Sequence, residues 1–230
     1  MDHMAHQEFI YKNALKNTSS YPFIQKCVPI DRFFVRPIAS LIVRMVYRTS
    51  VTPNQLTFSS FVIGIVAGLT YLGGRPLYFA LGGTLALISM ILDSADGMLA
   101  RAKNMSSRYG AFLDLFMDRV VDFVVLGGIT WGLYLFSRDW RYLVFGLLTI
   151  ALYFLQTSLF YLINNYQGHG KLGEAAEAKS MAVFILFLLS LFGRLDAILA
   201  TVFLMACLST LVKTIRAFRW GKNQSSDLDP

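Results

Sequence analysis

Long apolar runs alternate with short polar links along most of the chain, and this pattern predicts its architecture. A helix needs about 20 apolar residues to cross a bilayer. Six runs approach or reach that length: residues 56–73, 77–100, 111–136, 142–163, 181–193 and 195–212. The fifth run is short, so we expect its helix to extend back through Ala175, with a tight turn at Gly193 after it. The pattern predicts an all-α membrane protein with six transmembrane helices.

A different pattern precedes the first apolar run. Residues 31–50 place apolar side chains at helical spacing, with arginines between or beside them. The apolar positions are Ile38, Leu41, Ile42, Met45 and Val46, and the arginines are Arg32, Arg36, Arg44 and Arg48. This is typical of an amphipathic helix lying in the interface of an anionic membrane. A helix packed on the bundle needs the same pattern and remains the alternative.

The rest of the chain divides around these elements. Residues 1–30 are polar and lack the apolar core of a signal peptide. Residues 51–219 form the predicted six-helix transmembrane domain, and residues 220–230 a polar tail. The only two cysteines, Cys27 and Cys207, predict no disulfide framework. Three scattered histidines do not suggest a zinc site.

Composition and charge support a membrane protein and predict its orientation. The chain is 55% hydrophobic and only 15% charged, whereas about 25% of residues are charged in a typical soluble domain. If the first span starts in the cytoplasm, 17 of the 21 lysines and arginines lie on the cytoplasmic side. The positive-inside rule then places both termini in the cytoplasm. The net charge of +7 is thus a topology signal, and no nucleic-acid partner is expected.

Acidic residues at the facing ends of two successive apolar runs are the candidate functional residues. Asp93 and Asp96 lie one turn apart, and the next run brings Asp114, Asp118 and Asp122 at four-residue steps. A carboxylate in a membrane costs about 2.5–3.5 kcal/mol on insertion scales, so such a group needs compensation. Two neighbouring antiparallel helices would bring four carboxylates to one point. Hard oxygen ligands suit Mg²⁺, Mn²⁺ or Ca²⁺, and a bracketed pair of ions suits phosphoryl chemistry.

The segment DSADGMLARAKNMSSRYGAFLDLFMD fits the pattern DxxDGxxARx₈GxxxDxxxD at every specified position. It resembles the CDP-alcohol phosphotransferase family of integral membrane enzymes, whose first span also starts much like TPNQLT here. The resemblance extends over roughly residues 32–219. It implies an enzyme of phospholipid biosynthesis whose donor is CDP-diacylglycerol or another CDP-linked alcohol. A small alcohol acceptor would receive the substituted phosphate, and CMP would be released.

The resemblance also implies roles for individual residues. The metal ligands, for two Mg²⁺ or Mn²⁺ ions, would be Asp93, Asp96, Asp114 and Asp118. The nucleotide would be bound by Asn54, Asp96, Gly97, Arg101 and Gly110. Asp118 would also be the general base that takes the acceptor's proton, although a role as metal ligand alone stays open. The glycines have helix packing as their alternative role, and Asn54 has helix capping.

The acceptor side is less defined. Four cations at the cytoplasmic ends of spans are candidates for an acceptor phosphate: Arg119, Lys171, Lys179 and Arg216. The positive-inside rule alone accounts for them equally well. The acceptor is expected to be inositol phosphate-like or glycerol phosphate-like. The run RPIASLIVRMVYRTSVTPNQLT resembles the inositol-phosphate branch of the family somewhat more. Asp122 is expected to be a partner for Arg119 or for a neighbouring helix, and not a metal ligand.

Two other classes also bury carboxylates in helical bundles. A cation transporter would usually place them near the bilayer midplane and often shows inverted repeats, and neither feature is visible here. An aspartate-rich membrane prenyltransferase lacks the DGxxAR core. The expected partners are therefore a CDP-alcohol donor, a small alcohol acceptor and membrane lipids. Lipid-facing surfaces also leave room for a homodimer.

Overall fold

The structure, a computed structural model, describes the backbone of residues 30–167 and 172–226 and the side chains of residues 30–163 and 179–215. All regular elements in these ranges are helices. A π-helical turn, Asp31–Val35, leads into α1 (Arg36–Val46), and six longer helices follow. They are α2 (Pro53–Tyr71), α3 (Pro76–Ala102), α4 (Arg108–Ser137), α5 (Arg141–Gln167), α6 (Leu172–Leu191) and α7 (Leu195–Ser226). The predicted all-α class is confirmed.

Four of the described helices are long and apolar enough to cross a membrane. They are α3, α4, the Arg141–Ile163 part of α5 and the Leu195–Ile215 part of α7. A shorter apolar stretch, Lys179–Leu191, belongs to α6. Helix α2 has 19 residues and a polar first turn, and it lies outside that set. The chain therefore folds as a multi-pass helical bundle.

Side-chain caps fix where α2 and α4 begin. The Thr52 hydroxyl accepts a hydrogen bond from the Gln55 amide, and the Gln55 side chain accepts one from the Thr52 amide at 2.9 Å. This reciprocal pair is a capping box, and Pro53 supplies the fixed φ of the first turn. The Ser107 hydroxyl caps α4 by accepting from the Gly110 amide at 2.9 Å. The first turns of both helices are therefore capped by their own side chains.

Glycines let α2 approach α3 and α4 closely. A Cβ built on Gly64 would lie 2.6 Å from Val121 of α4 and 2.9 Å from the Ser89 hydroxyl of α3. A Cβ on Gly128 would overlap the carbonyl oxygen of Gly68. Small residues permit such backbone contact, which supplies the van der Waals packing that drives helix association in membranes. Helix α2 is therefore the shared support of both acidic helices.

Helix α1 packs on the bundle through a stripe that the sequence analysis missed. Val35, Ala39 and Val43 are fully buried at four-residue steps. They join a core formed with residues of α2 and α3, and Phe184 of α6 packs against this core. On the opposite face of α1, Met45 is 68% exposed and lies close in sequence to Arg44 and Arg48. Helix α1 thus packs on the bundle through one face and keeps exposed apolar and basic side chains on the other.

The connection between α6 and α7 agrees with its prediction. Gly193 has a φ of +65°, a left-handed conformation that glycine adopts without strain, and it lies in the turn after Leu191. Helix α6 begins at Leu172, so it includes Ala175 as expected. Helix α7 continues to Ser226, into the segment predicted as a polar tail. Residues 1–29 lie outside the described residues.

Candidate metal and nucleotide site

Three aspartates from α3 and α4 form the centre of the site. Asp93, Asp114 and Asp118 each offer a carboxylate oxygen, and these oxygens all lie within 4.8 Å of one another. We call these three residues the acidic cluster. Asp114 and Asp118 share a face of α4 because they are one turn apart. The sequence-based expectation that these side chains converge is confirmed.

The two acidic helices follow one another in the chain and bring Asp93 to Asp114 and Asp118, as predicted. Both helices pack more closely on α2 than on each other. Ser89 of α3 is bonded to the Ser60 carbonyl of α2 at 2.7 Å, which holds α3 against its support. The reason is that the glycines of α2 offer both helices a closer approach than their own side chains permit. The acidic cluster therefore occupies a space between two separated helices.

Asp96 lies beside the acidic cluster and outside its set of mutually close oxygens. Its side chain is buried, faces the Thr57 hydroxyl of α2, and is near enough to Asp93 and Asp114 to interact with them electrostatically. One oxygen of Asp96, Oδ2, is buried without a hydrogen-bond partner among the described residues. The same is true of Asp114 Oδ1. Two buried carboxylate oxygens thus lack a compensating donor.

Lys179 supplies a positive charge to the acidic cluster. Its ammonium nitrogen lies 2.5 Å from Asp118 Oδ1 and 3.7 Å from Asp93 Oδ2. It comes from α6, so three helices contribute to the site. The sequence analysis placed Lys179 with the acceptor, and the structure places it directly on the carboxylates. Lys171 and the side chain of Arg216, two further acceptor candidates, lie outside the described residues.

Arg119 belongs to a polar group on α4 and α5. Its guanidinium lies 3.0 Å from Asp122 Oδ2 and donates to the Tyr153 hydroxyl at 3.2 Å. Tyr153 in turn donates to Asp122 at 2.6 Å. The predicted pairing of Asp122 with Arg119 is confirmed. Tyr153 was missed, because a single tyrosine in an apolar run gives no signal of a polar contact across helices.

The residues predicted to bind the nucleotide fall into two pairs. A Cβ built on Gly110 would lie 3.3 Å from the side-chain oxygen of Asn54, so these two residues adjoin. For Gly97, the three nearest atoms all belong to the Arg101 side chain, starting at 3.5 Å. The surface of α3 at Gly97 is therefore covered by the Arg101 side chain. At both glycines the space that a Cβ would take is bordered by polar side chains.

The residues present fit a divalent metal ion. The acidic cluster offers only oxygen donors, the type that hard divalent cations prefer. The two unpartnered oxygens, on Asp96 and Asp114, lack the donor or cation that buried carboxylates normally have. A single ammonium cannot neutralise three carboxylates and Asp96 beside them. The cluster is consistent with a divalent metal site.

Comparisons with known proteins give the same family as the motif. Residues 50–213 match the CDP-alcohol phosphatidyltransferase family. Archaetidylinositol phosphate synthase of Pyrococcus horikoshii is 31% identical over 178 residues, which cover 75% of this chain and 85% of that protein.

A second relative shares a shorter region. The bifunctional IPC transferase and DIPP synthase of Thermococcus kodakarensis is 46% identical over 72 residues. These residues are 31% of this chain and 16% of that protein, so the chain spans about a sixth of the length of this bifunctional relative.

A solved structure has the same fold. Phosphatidylinositol phosphate synthase of Mycobacterium tuberculosis, crystallised with CDP-DAG bound, aligns with a TM-score of 0.60 and 18% identity. The alignment covers 80% of this chain and 92% of that one. Neither the transporter nor the prenyltransferase alternative is supported by these matches. With the motif, the acidic cluster and the multi-pass fold in agreement, this chain belongs to the CDP-alcohol phosphatidyltransferase family of integral membrane enzymes.

Proposed function

We propose that this enzyme transfers a substituted phosphate from a CDP-alcohol to the hydroxyl of a phosphorylated small alcohol. The observation that carries the proposal is the acidic cluster, held between α3 and α4 within a fully matched family motif. The acceptor oxygen attacks the phosphorus nearer the donor alcohol. The bond from that phosphorus to the bridging oxygen breaks, and CMP leaves with the bonding electron pair.

The donor nucleotide is assigned to the ends of α2, α3 and α4. Asn54 with Gly110 and Arg101 with Gly97 line the approach to the cytidine diphosphate. A guanidinium suits phosphate because its N–H groups bind two oxygens at once. The metal ligands are the acidic cluster with Asp96, and the metal is Mg²⁺ or Mn²⁺, as a pair of ions. Bound there, it would neutralise charge on the diphosphate and on the departing CMP.

Asp118 is assigned as the general base. It lies on the acidic cluster and within reach of Lys179, on the side that faces α6. While the ammonium contacts Asp118, it competes with the acceptor's proton for that oxygen. We therefore assign Lys179 to the acceptor phosphate in the substrate-bound enzyme, which frees Asp118 to accept the proton. Arg119, Lys171 and Arg216 remain the other acceptor candidates.

An inositol phosphate is the favoured acceptor. The P. horikoshii relative is called an archaetidylinositol phosphate synthase, and its similarity extends over most of both chains. The N-terminal run through TPNQLT supports the same branch. CDP-diacylglycerol or a related CDP-linked lipid is the favoured donor. The crystal structure with the same fold contains CDP-DAG.

We place the site at the cytoplasmic face of a six-span bundle. The four long apolar helices and the shorter one of α6 account for five spans, and α2, packed between α3 and α4, is the sixth. With six spans both termini are on one side. The distribution of lysine and arginine puts that side in the cytoplasm. Helix α1 then lies at the membrane surface with its arginines toward anionic headgroups.

A product assay tests the function. Full-length protein in detergent is incubated with Mg²⁺ or Mn²⁺ and with CDP-diacylglycerol or a soluble CDP-alcohol as donor. The acceptor is inositol 1-phosphate, glycerol 3-phosphate or free inositol, and CMP and lipid products are identified by mass spectrometry. We expect CMP together with a phosphoinositol lipid, no product with free inositol, and none after chelation. Asp114→Asn is the matched inactive control. Absence of CMP with every donor and acceptor pair contradicts the proposal, and preference for glycerol 3-phosphate contradicts the acceptor assignment.

A further inference from the structure

Lys103, at the end of α3, is hydrogen-bonded to the chain between α1 and α2. It follows the last residue of α3, and its ammonium donates to the carbonyl of Thr49 at 2.8 Å and to that of Val51 at 2.7 Å. Both carbonyls belong to residues 47–52, which we call the α1–α2 link. A lysine of the motif segment is therefore bound to backbone 52 and 54 positions earlier in the chain.

The held backbone leads directly into the proposed nucleotide site. Val51 precedes the capping residue Thr52, and Asn54 lies in the first turn of α2. Asn54 in turn adjoins Gly110 at the start of α4. The ammonium of Lys103 thus fixes the α1–α2 link to the end of α3, and the nearer of its two carbonyls, that of Val51, lies three positions before Asn54.

We propose that Lys103 is a positioning residue for the CDP-alcohol donor, acting through Asn54. This inference rests on the proposed function for the identity of the ligand. The direct alternative is that Lys103 binds a substrate phosphate. Two short bonds to carbonyls argue against it, because they already use two of the three N–H donors of the ammonium. Charge-assisted bonds of this length are strong enough to order a link.

Kinetics on three variants give the first test. Lys103→Met keeps the length of the side chain and removes the donors, and we expect it to raise the donor KM about 10-fold, because small misplacements of binding groups are costly. The acceptor KM and the metal concentration for half-maximal activity should stay unchanged. Lys103→Arg should restore the donor KM, since a guanidinium can also donate to two carbonyls. Arg108→Met, which removes an exposed charge five residues away, is the control for charge alone.

A double-mutant cycle separates positioning from general weakening. In an Asn54→Ala background, Lys103→Met should raise the donor KM by less than about twofold, because residues that act through one another are not additive. Equal effects of Lys103→Met in both backgrounds overturn the proposal. An unchanged donor KM in Lys103→Met, or a change equal to that of Arg108→Met, also overturns it.

Amide hydrogen exchange tests the contact without any turnover. In the metal-free wild-type protein the hydrogen-bonded amides of Thr49, Val51, Thr52 and Gln55 should exchange slowly. Lys103→Met should speed their exchange at least about 10-fold, whereas Lys103→Arg and Arg108→Met should not, because local opening determines the rate. Exchange in Lys103→Met equal to that of the wild type overturns the proposal. If the wild type releases no CMP, the proposed function fails, and this measurement still decides whether Lys103 holds the link.

Discussion

Replacing Lys179 tests how the acidic cluster is compensated when no metal is bound. Its ammonium is the counter-charge that the structure places on Asp93 and Asp118. Methionine has a similar length and no charge, so Lys179→Met keeps most of the packing in α6. The variant leaves three close carboxylates without that ion pair. We expect the metal-free protein to become less stable and to gain more than the wild type from added metal.

The distances give the size of the effect. With oxygens no more than 4.8 Å apart, each pair of charged carboxylates repels by at least about 3.5 kcal/mol at an effective dielectric near 20. The ammonium at 2.5 Å from Asp118 and 3.7 Å from Asp93 contributes about 7 and 4 kcal/mol in the same medium. The attraction is therefore comparable in size to the repulsion among the three carboxylates. Breaking a buried ion pair typically costs about 3–5 kcal/mol. Because these side chains are 22–25% exposed, we expect the lower end of that range, about 3 kcal/mol.

The assay is thermal unfolding of the full chain in detergent, in chelator and then in saturating Mn²⁺ or Mg²⁺. For a protein of this size, about 2–4 °C is lost per kcal/mol, so Lys179→Met should unfold about 10 °C below the wild type in chelator. Metal should close most of that difference, because a dication supplies the missing charge. Lys213→Met is the matched control. Its ammonium lies over Phe160 and near the Gln156 carbonyl, on α5 and away from the acidic cluster.

Two results would refute this reasoning. Equal unfolding temperatures of Lys179→Met and the wild type in chelator would mean that the ammonium does not compensate the carboxylates. An equal metal-induced shift in the two proteins would mean that metal and Lys179 do not share the same ligands. If Lys179→Met is obtained only in the presence of metal, the comparison is made by chelating the purified protein.

The remaining predictions concern chemistry and packing. Asp114→Asn should reduce CMP release more than about 100-fold, because the loss of a metal ligand exceeds the loss of a residue that only orients a ligand. Retained activity would remove Asp114 from the metal site. Asp118→Asn should lower kcat by about 100-fold or more while metal and donor affinities change little, and a matching loss of metal affinity would leave Asp118 a ligand only. Gly128→Ala should destabilise by about 1–3 kcal/mol through overlap with the Gly68 carbonyl, measured by thermal unfolding. Gly127→Ala is its neighbouring control, because no described atom lies within 4 Å of the added Cβ, and equal unfolding of the two variants would contradict the packing argument.

The helices, and the shared face of Asp114 and Asp118, could be predicted because both depend on local periodicity. The apolar runs mark the helices, and four-residue steps place Asp114 and Asp118 on one face whatever the rest of the chain does. The pairing of Arg119 with Asp122 follows from the same rule, since residues three apart are neighbours on a helix.

The contacts between distant segments could not be predicted in this way. Lys179 meets Asp93 only because α6 packs on α3, and Tyr153 meets Asp122 only because α5 packs on α4. The arginines beside α1 indicated a membrane interface, but they gave no sign that Val35, Ala39 and Val43 would be buried against the bundle. The separation of α3 from α4 depends on glycines of a third helix, which an acidic motif does not reveal.

The contact of Gly64 with both acidic helices gives α2 the role of a spacer. A side chain at this position would press on Val121 of α4 and on Ser89 of α3 at the same time, and would move the two rows of carboxylates apart. Oxygen distances near 2.0–2.1 Å suit Mg²⁺, while those of about 2.3–2.6 Å suit Ca²⁺. A larger residue at position 64 should therefore shift the preference of the centre from a small ion to a large one, although residue 64 is not a ligand. Gly64 is the first position at which to test a change in ion selectivity.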